Sequence, residues 1–248
     1  MSGPSLVCPL SSLPKSPRRG LTSSIGASGR RHGCGMQPIH PSGRIWGVAN
    51  EANFEELLRT IGHHDHDAAL ALLTETPSLS TRSLARSDEF FLAERFAQVY
   101  EGDTALHAAG FSYDSEMARA LIARGADIRA RNRRGAEPLH AAVIGNPNSP
   151  TWNPADQCQL IELLVASGAD PNAKAAGGVT PLHRAVRNRC SAAVEALLRA
   201  GADSRLPNDS GSTAADLAAL TTGRGGSGSI EAKAEQRIIL DMLDASLK

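Results

Sequence analysis

Aromatic side chains make up only 4% of the 248 residues, so any core must come mainly from leucine, alanine and valine within the 41% that is hydrophobic. Long apolar runs are missing as well. The best, Leu160-Ile-Glu-Leu-Leu-Val-Ala166, contains a glutamate and falls far short of the roughly 18–20 residues needed to cross a bilayer. The four cysteines (Cys8, Cys34, Cys158 and Cys190) stand far apart and form no C-x-x-C pair. That argues against a zinc site and a disulfide framework, and it fits a reducing compartment. Acidic residues are absent from positions 1–45, which carry six basic groups; the rest of the chain holds 20 basic and all 26 acidic residues, a net of −6. An acidic body is poorly suited to nucleic acid, whose binding draws on phosphate neutralisation. No G-x-x-x-x-G-K-[ST], G-x-S-x-G or H-E-x-x-H is present, so neither a catalytic residue nor a cofactor is expected.

Residues 1–45 are rich in Ser, Gly, Pro and Arg and show no sustained apolar periodicity. Such a stretch cannot bury enough surface to offset the entropy of ordering, and it is expected to be a disordered basic leader. Its composition also resembles an organelle transit peptide, and translation from Met36 would omit most of it. Without such targeting, the expected location is the cytoplasm.

What the chain does have is a repeat. Gly102-Asp-Thr-Ala-Leu-His-Ala-Ala109 returns as Gly135-Ala-Glu-Pro-Leu-His-Ala-Ala142 and as Gly178-Val-Thr-Pro-Leu-His-Arg-Ala185. A weakened copy follows, Gly211-Ser-Thr-Ala-Ala-Asp-Leu-Ala218; the leading glycines are 33, 43 and 33 residues apart. Each of the first three units ends alike, at Gly125-Ala-Asp127, Gly168-Ala-Asp170 and Gly201-Ala-Asp203. This frame resembles the ankyrin repeat. The resemblance covers residues 102–245 strongly and 47–101 weakly. It implies an all-α ankyrin-repeat solenoid of helix–turn–helix units with short β-hairpin loops. Units are expected at 102–134, 135–177 with an insertion, 178–210, and 211–248 as a modified C-terminal cap; 46–101 would form a degenerate helical N-terminal cap.

One unit can be read physically from its residues. Thr180 suits an N-cap and Pro181 the first helical position, where its missing N–H costs nothing. Leu182, Ala185 and Val186 recur at helical spacing; Val194, Leu197 and Leu198 give the second helix its stripe, and Gly201 stops it. One unit cannot bury its stripe alone, whereas stacked neighbours can. Glu137 replaces the capping Thr of the second unit, and its carboxylate still suits a helix N-terminus. Arg189 stands at the usual turn glycine, so Asn188 is expected to take any left-handed conformation. Upstream, Phe54–Leu58 and Ala68–Leu73 read as a helix pair, and residues 88–99, with Phe90, Phe91, Leu92 and Phe96, as an inserted third helix.

Ten extra residues of the second unit fall near Gly145–Ala155, between its helices. The fourth unit's extra residues include TTGRGGSGS at 221–229, a formal G-x-G-x-x-G. A dinucleotide loop needs a strand before it and a helix after it, and here the preceding residues, Ala214–Leu220, are helical in pattern. The loop therefore reads as a flexible join. A low-affinity anion site of Arg224, Gly225, Gly226 and Ser229 is the alternative, with Ser229 capping a last helix over about 230–243.

Other candidates divide between structure and recognition. His63-His-Asp-His-Asp67 is ligand-rich, but its further ligands would have to come from elsewhere in the fold, so a solvated turn and no metal are expected. The resemblance implies that His107, His140 and His183 tie turns together by hydrogen bonds. It also places Arg131, Arg133 and Arg134 at a hairpin tip, and Phe111, Arg187, Asn188 and Asp209 on the variable recognition surface. Trp152 is either an anchor for its loop or a partner contact. The function implied is non-catalytic protein–protein recognition through the concave face and hairpin tips, by a monomer with an unidentified protein partner and no nucleic-acid or membrane ligand. The alternatives are a small-anion or nucleotide-binding regulator built on the Gly-rich loop, or a non-catalytic subunit of an enzyme complex.

Overall fold

The computed structural model describes residues 46–145, 147, 149, 152–220 and 229–246, so the leader and Arg224, Gly225 and Gly226 lie outside the described residues. Ten helices in this region fall into five pairs: α1 (Trp46–His63) with α2 (His66–Glu75), α3 (Ala105–Ser112) with α4 (Ser115–Ala123), α5 (Pro138–Ala142) with α6 (Pro154–Ala166), α7 (Pro181–Arg187) with α8 (Ser191–Arg199), and α9 (Ala214–Ala219) with α10 (Ile230–Ser246). The first helices pack in the series α1–α3–α5–α7–α9, and the second helices in the series α4–α6–α8–α10. Stacking in this way lets each pair bury a stripe that it could not cover alone. Leu57, Leu58 and Ile61 of α1, Leu106 of α3, Leu139 of α5, Leu160 and Leu164 of α6, Leu197 of α8 and Leu243 of α10 all belong to one continuous buried cluster. Alanine at Ala105, Ala109, Ala142, Ala185 and Ala193 is fully buried, and its small side chain lets backbones approach without aromatic filler.

Between the pairs, the turns are tied strand-like by single backbone bonds. The Arg133 amide donates to the Glu101 carbonyl at 2.7 Å, Ala176 to Arg134 at 2.8 Å and Asp209 to Gly177 at 3.0 Å. The leading glycine of each unit sits at positive φ; at Gly102 (φ 88°) a Cβ would lie 2.6 Å from the Asn132 Cα, so both conformation and space demand glycine. Asn132 organises the turn below. Its Oδ1 accepts the amides of Arg134 (2.9 Å) and Ala136 (3.0 Å), and its Nδ2 donates to the buried Asp103 Oδ1 at 2.8 Å. Replacing Asn132 by Ala should therefore cost about 2 kcal/mol, because three buried polar groups lose partners. Urea denaturation checks this, and a loss below ~0.5 kcal/mol would show that water replaces those bonds.

The histidine positions form a ladder. In each of three units the N-cap amide (Thr104, Glu137 or Thr180) donates to Nδ1 of the histidine three residues on. That leaves Nε2–H to donate across to the next unit: His107 to the Ala136 carbonyl (3.1 Å), His140 to Val179 (3.1 Å) and His183 to Ser212 (3.0 Å). All three rings are buried and neutral in this bonding pattern. In the fourth unit Asp216 takes the place of histidine. Its Oδ2 accepts from the Thr213 amide (2.8 Å), so the N-cap is kept, but a carboxylate cannot donate onward. The ladder ends there.

Two expectations are corrected. Residues 88–99 are not a helix: β1 (Phe90–Leu92) and β2 (Ala97–Val99) pair antiparallel, with Leu92 opposite Ala97, and Phe96 turns the chain at φ 49°. A short apolar run such as Phe-Phe-Leu fits either period, and here Leu92 and Val99 both point into the core. The second correction concerns the turn before α8. Arg189 itself is left-handed (φ 58°), whereas Asn188 is right-handed (φ −88°). The reason is tertiary. The guanidinium is buried against the last unit, donating to the Ala232 carbonyl (3.2 Å), Gln236 Oε1 (2.9 Å) and the Leu220 carbonyl (3.4 Å).

Candidate interaction surface on the concave face

The first helix of each pair presents its C-terminal half to the same side. Phe111 of α3, Ile144 just beyond α5 and Arg187 of α7 occupy equivalent positions, and the inserted hairpin leans over them, with Ala97 packed against Phe111, Ala141 and Ile144. Together they enclose a concavity of about 230 Å³. Four residues singled out from sequence, Phe111, Arg134, Arg187 and Asn188, line it together. Sequence reading missed the remainder of the wall, notably Phe96, Tyr100 and Arg184, because the hairpin that delivers Phe96 and Tyr100 was taken for a helix. For Arg184 a signal existed: it replaces the alanine found at the equivalent Ala108 and Ala141.

The electrostatics are one-sided. Arg134, Arg184 and Arg187 line the concavity, and none of the described residues lining it carries a carboxylate. Arg134 lies with its guanidinium 4.4 Å from the Tyr100 ring centroid. Arg184 donates to the His140 carbonyl at 3.1 Å. Its pKa is pushed down to about 10, first by burial and then by the neighbouring Arg187 charge, while the buried Asp103 partly opposes the shift. Phe96 is 74% exposed at the rim.

The other arginines of the 129–134 run are spent within the chain. Arg131 binds Glu137 Oε1 through Nη2 (2.9 Å) and the Lys174 carbonyl (3.3 Å). Arg133 forms a fork with both carboxylate oxygens of Glu89 and lies 4.8 Å from the Tyr100 centroid. Its hydrogen bond holds the Glu89 pKa down at about 2, helped by the Glu101 amide. These contacts clamp the segment carrying the inserted hairpin onto the second turn. Trp152 is half-buried against the core, with Nε1 donating to Gln157 Oε1 at 2.9 Å, which fits a loop anchor. Asp209 is exposed in the last turn and does not line the concavity. Ser229 caps α10 through Oγ, which accepts the Ala232 amide at 3.1 Å. The other three residues of the anion-site reading fall among residues not described.

Helix pairs, finger-like turns and the histidine ladder define a class of stacked-repeat proteins, and comparison with known proteins agrees. Residues 101–133 match the family description "Ankyrin repeat", and residues 163–218 match "Ankyrin repeats (many copies)". A curated relative, Notch-regulated ankyrin repeat-containing protein A of Danio rerio, is 44% identical over 45 residues, 18% of this chain and 40% of the relative's length. The chain carries ankyrin repeats over these segments. Such repeats generally mediate protein–protein interaction and are typically non-catalytic modules. No helix among the described residues is long and apolar enough to cross a membrane.

Proposed function

We propose that this protein is a non-catalytic adaptor that recognises an acidic, partly apolar segment of a partner protein through its concave face. The observation that supports this reading most is the wall of Arg134, Arg184 and Arg187 set beside Phe96, Tyr100 and Phe111, with no acidic group among the lining residues. Guanidinium groups meet carboxylates bidentately and are enriched with aromatics at binding hot spots, so charge and apolar surface together favour one kind of ligand. The buried thiols Cys158 and Cys190 are in keeping with work in a reducing cytoplasm.

A fluorescent library of 12-residue peptides, varied from acidic to basic and each with one or two aromatic residues, tests the reading. Acidic peptides should be selected, with affinity falling as salt rises. Arg134→Glu with Arg187→Glu, both at exposed positions, should weaken binding at least 10-fold while leaving the melting temperature within a few degrees. Equal binding of basic peptides, or an unaffected double variant, would sink the proposal.

A further inference from the structure

We infer that the turn between α1 and α2, the first residue of α2 and the N-cap of α4 form a transition-metal site, with Zn²⁺ bound by His64 Nδ1, His66 Nε2 and Asp114 Oδ2. The three atoms lie within 4.8 Å of one another. His64 Nδ1 is 3.4 Å from Asp114 Oδ2, close to the edge of about 3.3 Å that tetrahedral geometry gives for ~2.0 Å metal–ligand bonds. His66 Nε2 is 2.8 Å from the same oxygen and needs to open by about 0.5 Å to reach that edge. Two imidazoles and one carboxylate suit Zn²⁺ rather than Ca²⁺ or Mg²⁺, which take oxygen ligands.

Three further features fit. Asp114 divides its oxygens: Oδ1 accepts the Met117 amide at 2.9 Å and caps α4, which holds the carboxylate still and leaves Oδ2 directed at the histidines. His66 Nδ1 lies 3.4 Å from Glu116 Oε2, so the ring nitrogen opposite the metal has a carboxylate to donate to. An outer-shell carboxylate of this kind fixes the tautomer and orientation of a metal-bound histidine. His64 is a non-glycine residue held at φ 59°, a conformation that brings its ring alongside His66, with the ring centroids 6.1 Å apart. Three protein ligands leave a fourth position for water, and His64 and Asp114 line a surface concavity together with Arg119, Asp156 and Gln159.

Such an ion would fasten the N-terminal helix pair to the first clear repeat. It reverses the expectation of no metal, which rested on the ligands visible in the histidine run; the missing one lies 48 residues from His66. This site is separate from the concave face, and the peptide and metal tests can fail independently.

The test is calorimetric titration of the full chain, freed of metal by chelator, with Zn²⁺, together with Co²⁺ absorption as a reporter of tetrahedral ligands. His64→Gly is the main variant, because glycine accepts the positive φ and should leave the fold intact; it is paired with His66→Ala. One Zn²⁺ per chain is expected at this site, with a Zn²⁺-dependent rise in melting temperature. The double variant should lose at least the ~10–100-fold in affinity that even an outer-shell loss costs, and Glu116→Ala should lose less than the double variant. Absence of a stoichiometric event, or binding and thermal shift unchanged in the double variant, would overturn the site.

Discussion

Lowering the pH from 7 to 5 should remove about 2 kcal/mol of stability through His140 alone. Burial holds its folded pKa at about 3, with the Arg184 charge adding to the depression. In the unfolded chain the ring returns to about 6.5. A depressed folded pKa means that the stabilisation is complete above the unfolded value. It falls by about 1.4 kcal/mol per pH unit as the pH drops from 6.5 toward 3, because only the unfolded state takes up the proton. His107 and His183 are also lowered chiefly by burial, so they act in the same direction. The physical reason is the ladder: a ring protonated at Nδ1 can no longer accept the N-cap amide, and it places a charge among buried alanines. Urea midpoints at pH 7, 6 and 5 measure the effect. Carboxylates such as Glu89, held at about 2, release their stabilisation only at lower pH, so this window isolates the histidines. His140→Gln should flatten the profile by close to one proton; midpoints that coincide across the window would refute the ladder's role.

Arg189→Ala should cost about 3 kcal/mol, concentrated in the last helix pair. The side chain is only 2% exposed and joins the turn before α8 to both α9's end and α10. Removing it takes one of two donors from the Leu220 carbonyl, which keeps Gln236 Nε2 at 3.2 Å. It also deprives Gln236 Oε1 and the Ala232 carbonyl of the guanidinium, while Gln236 Nε2 still bridges to the Ala218 carbonyl at 2.6 Å. Glu235, accepting the Ser191 amide at 2.9 Å, and Gln236 Nε2 would then be left to hold the first half of α10. Arg189→Gly separates backbone from side chain. Glycine takes φ 58° freely, so it should be about 1 kcal/mol more stable than the alanine variant while still weaker than the parent. Hydrogen exchange should locate the loss at residues 230–246 in both variants. If exchange there is unchanged, the guanidinium is not what holds the final unit.

The repeat architecture was legible because its determinants are local. A Thr or Glu N-cap, a Pro at the first helical position, a histidine three residues after the cap and a glycine at positive φ each act within a single turn of chain, and their recurrence fixed the helix pairs around Leu106, Leu139 and Leu182. Ser229 as the cap of the last helix followed from the same local rule. Part of the candidate surface was legible too, since Phe111, Arg134, Arg187 and Asn188 occupy positions that such a frame turns inward.

Elsewhere, long-range contacts overrode local preference. Residues 90–99 became a hairpin because Leu92 and Val99 find the core from alternate positions of paired strands, a choice that periodicity over three residues could not decide. Arg189 took a glycine conformation because carbonyls from α9's end and α10, at least 31 residues away, satisfy its buried charge. Arg133 was claimed by Glu89, 44 residues upstream, rather than left for a partner. Asp114 met His64 and His66 only once α4 had stacked beside the first helix pair. Local backbone chemistry thus determined which segments are helices and how they cap. The partners of each long charged side chain were decided by stacking, because those side chains answer to whatever carbonyl, carboxylate or ring the fold brings within reach.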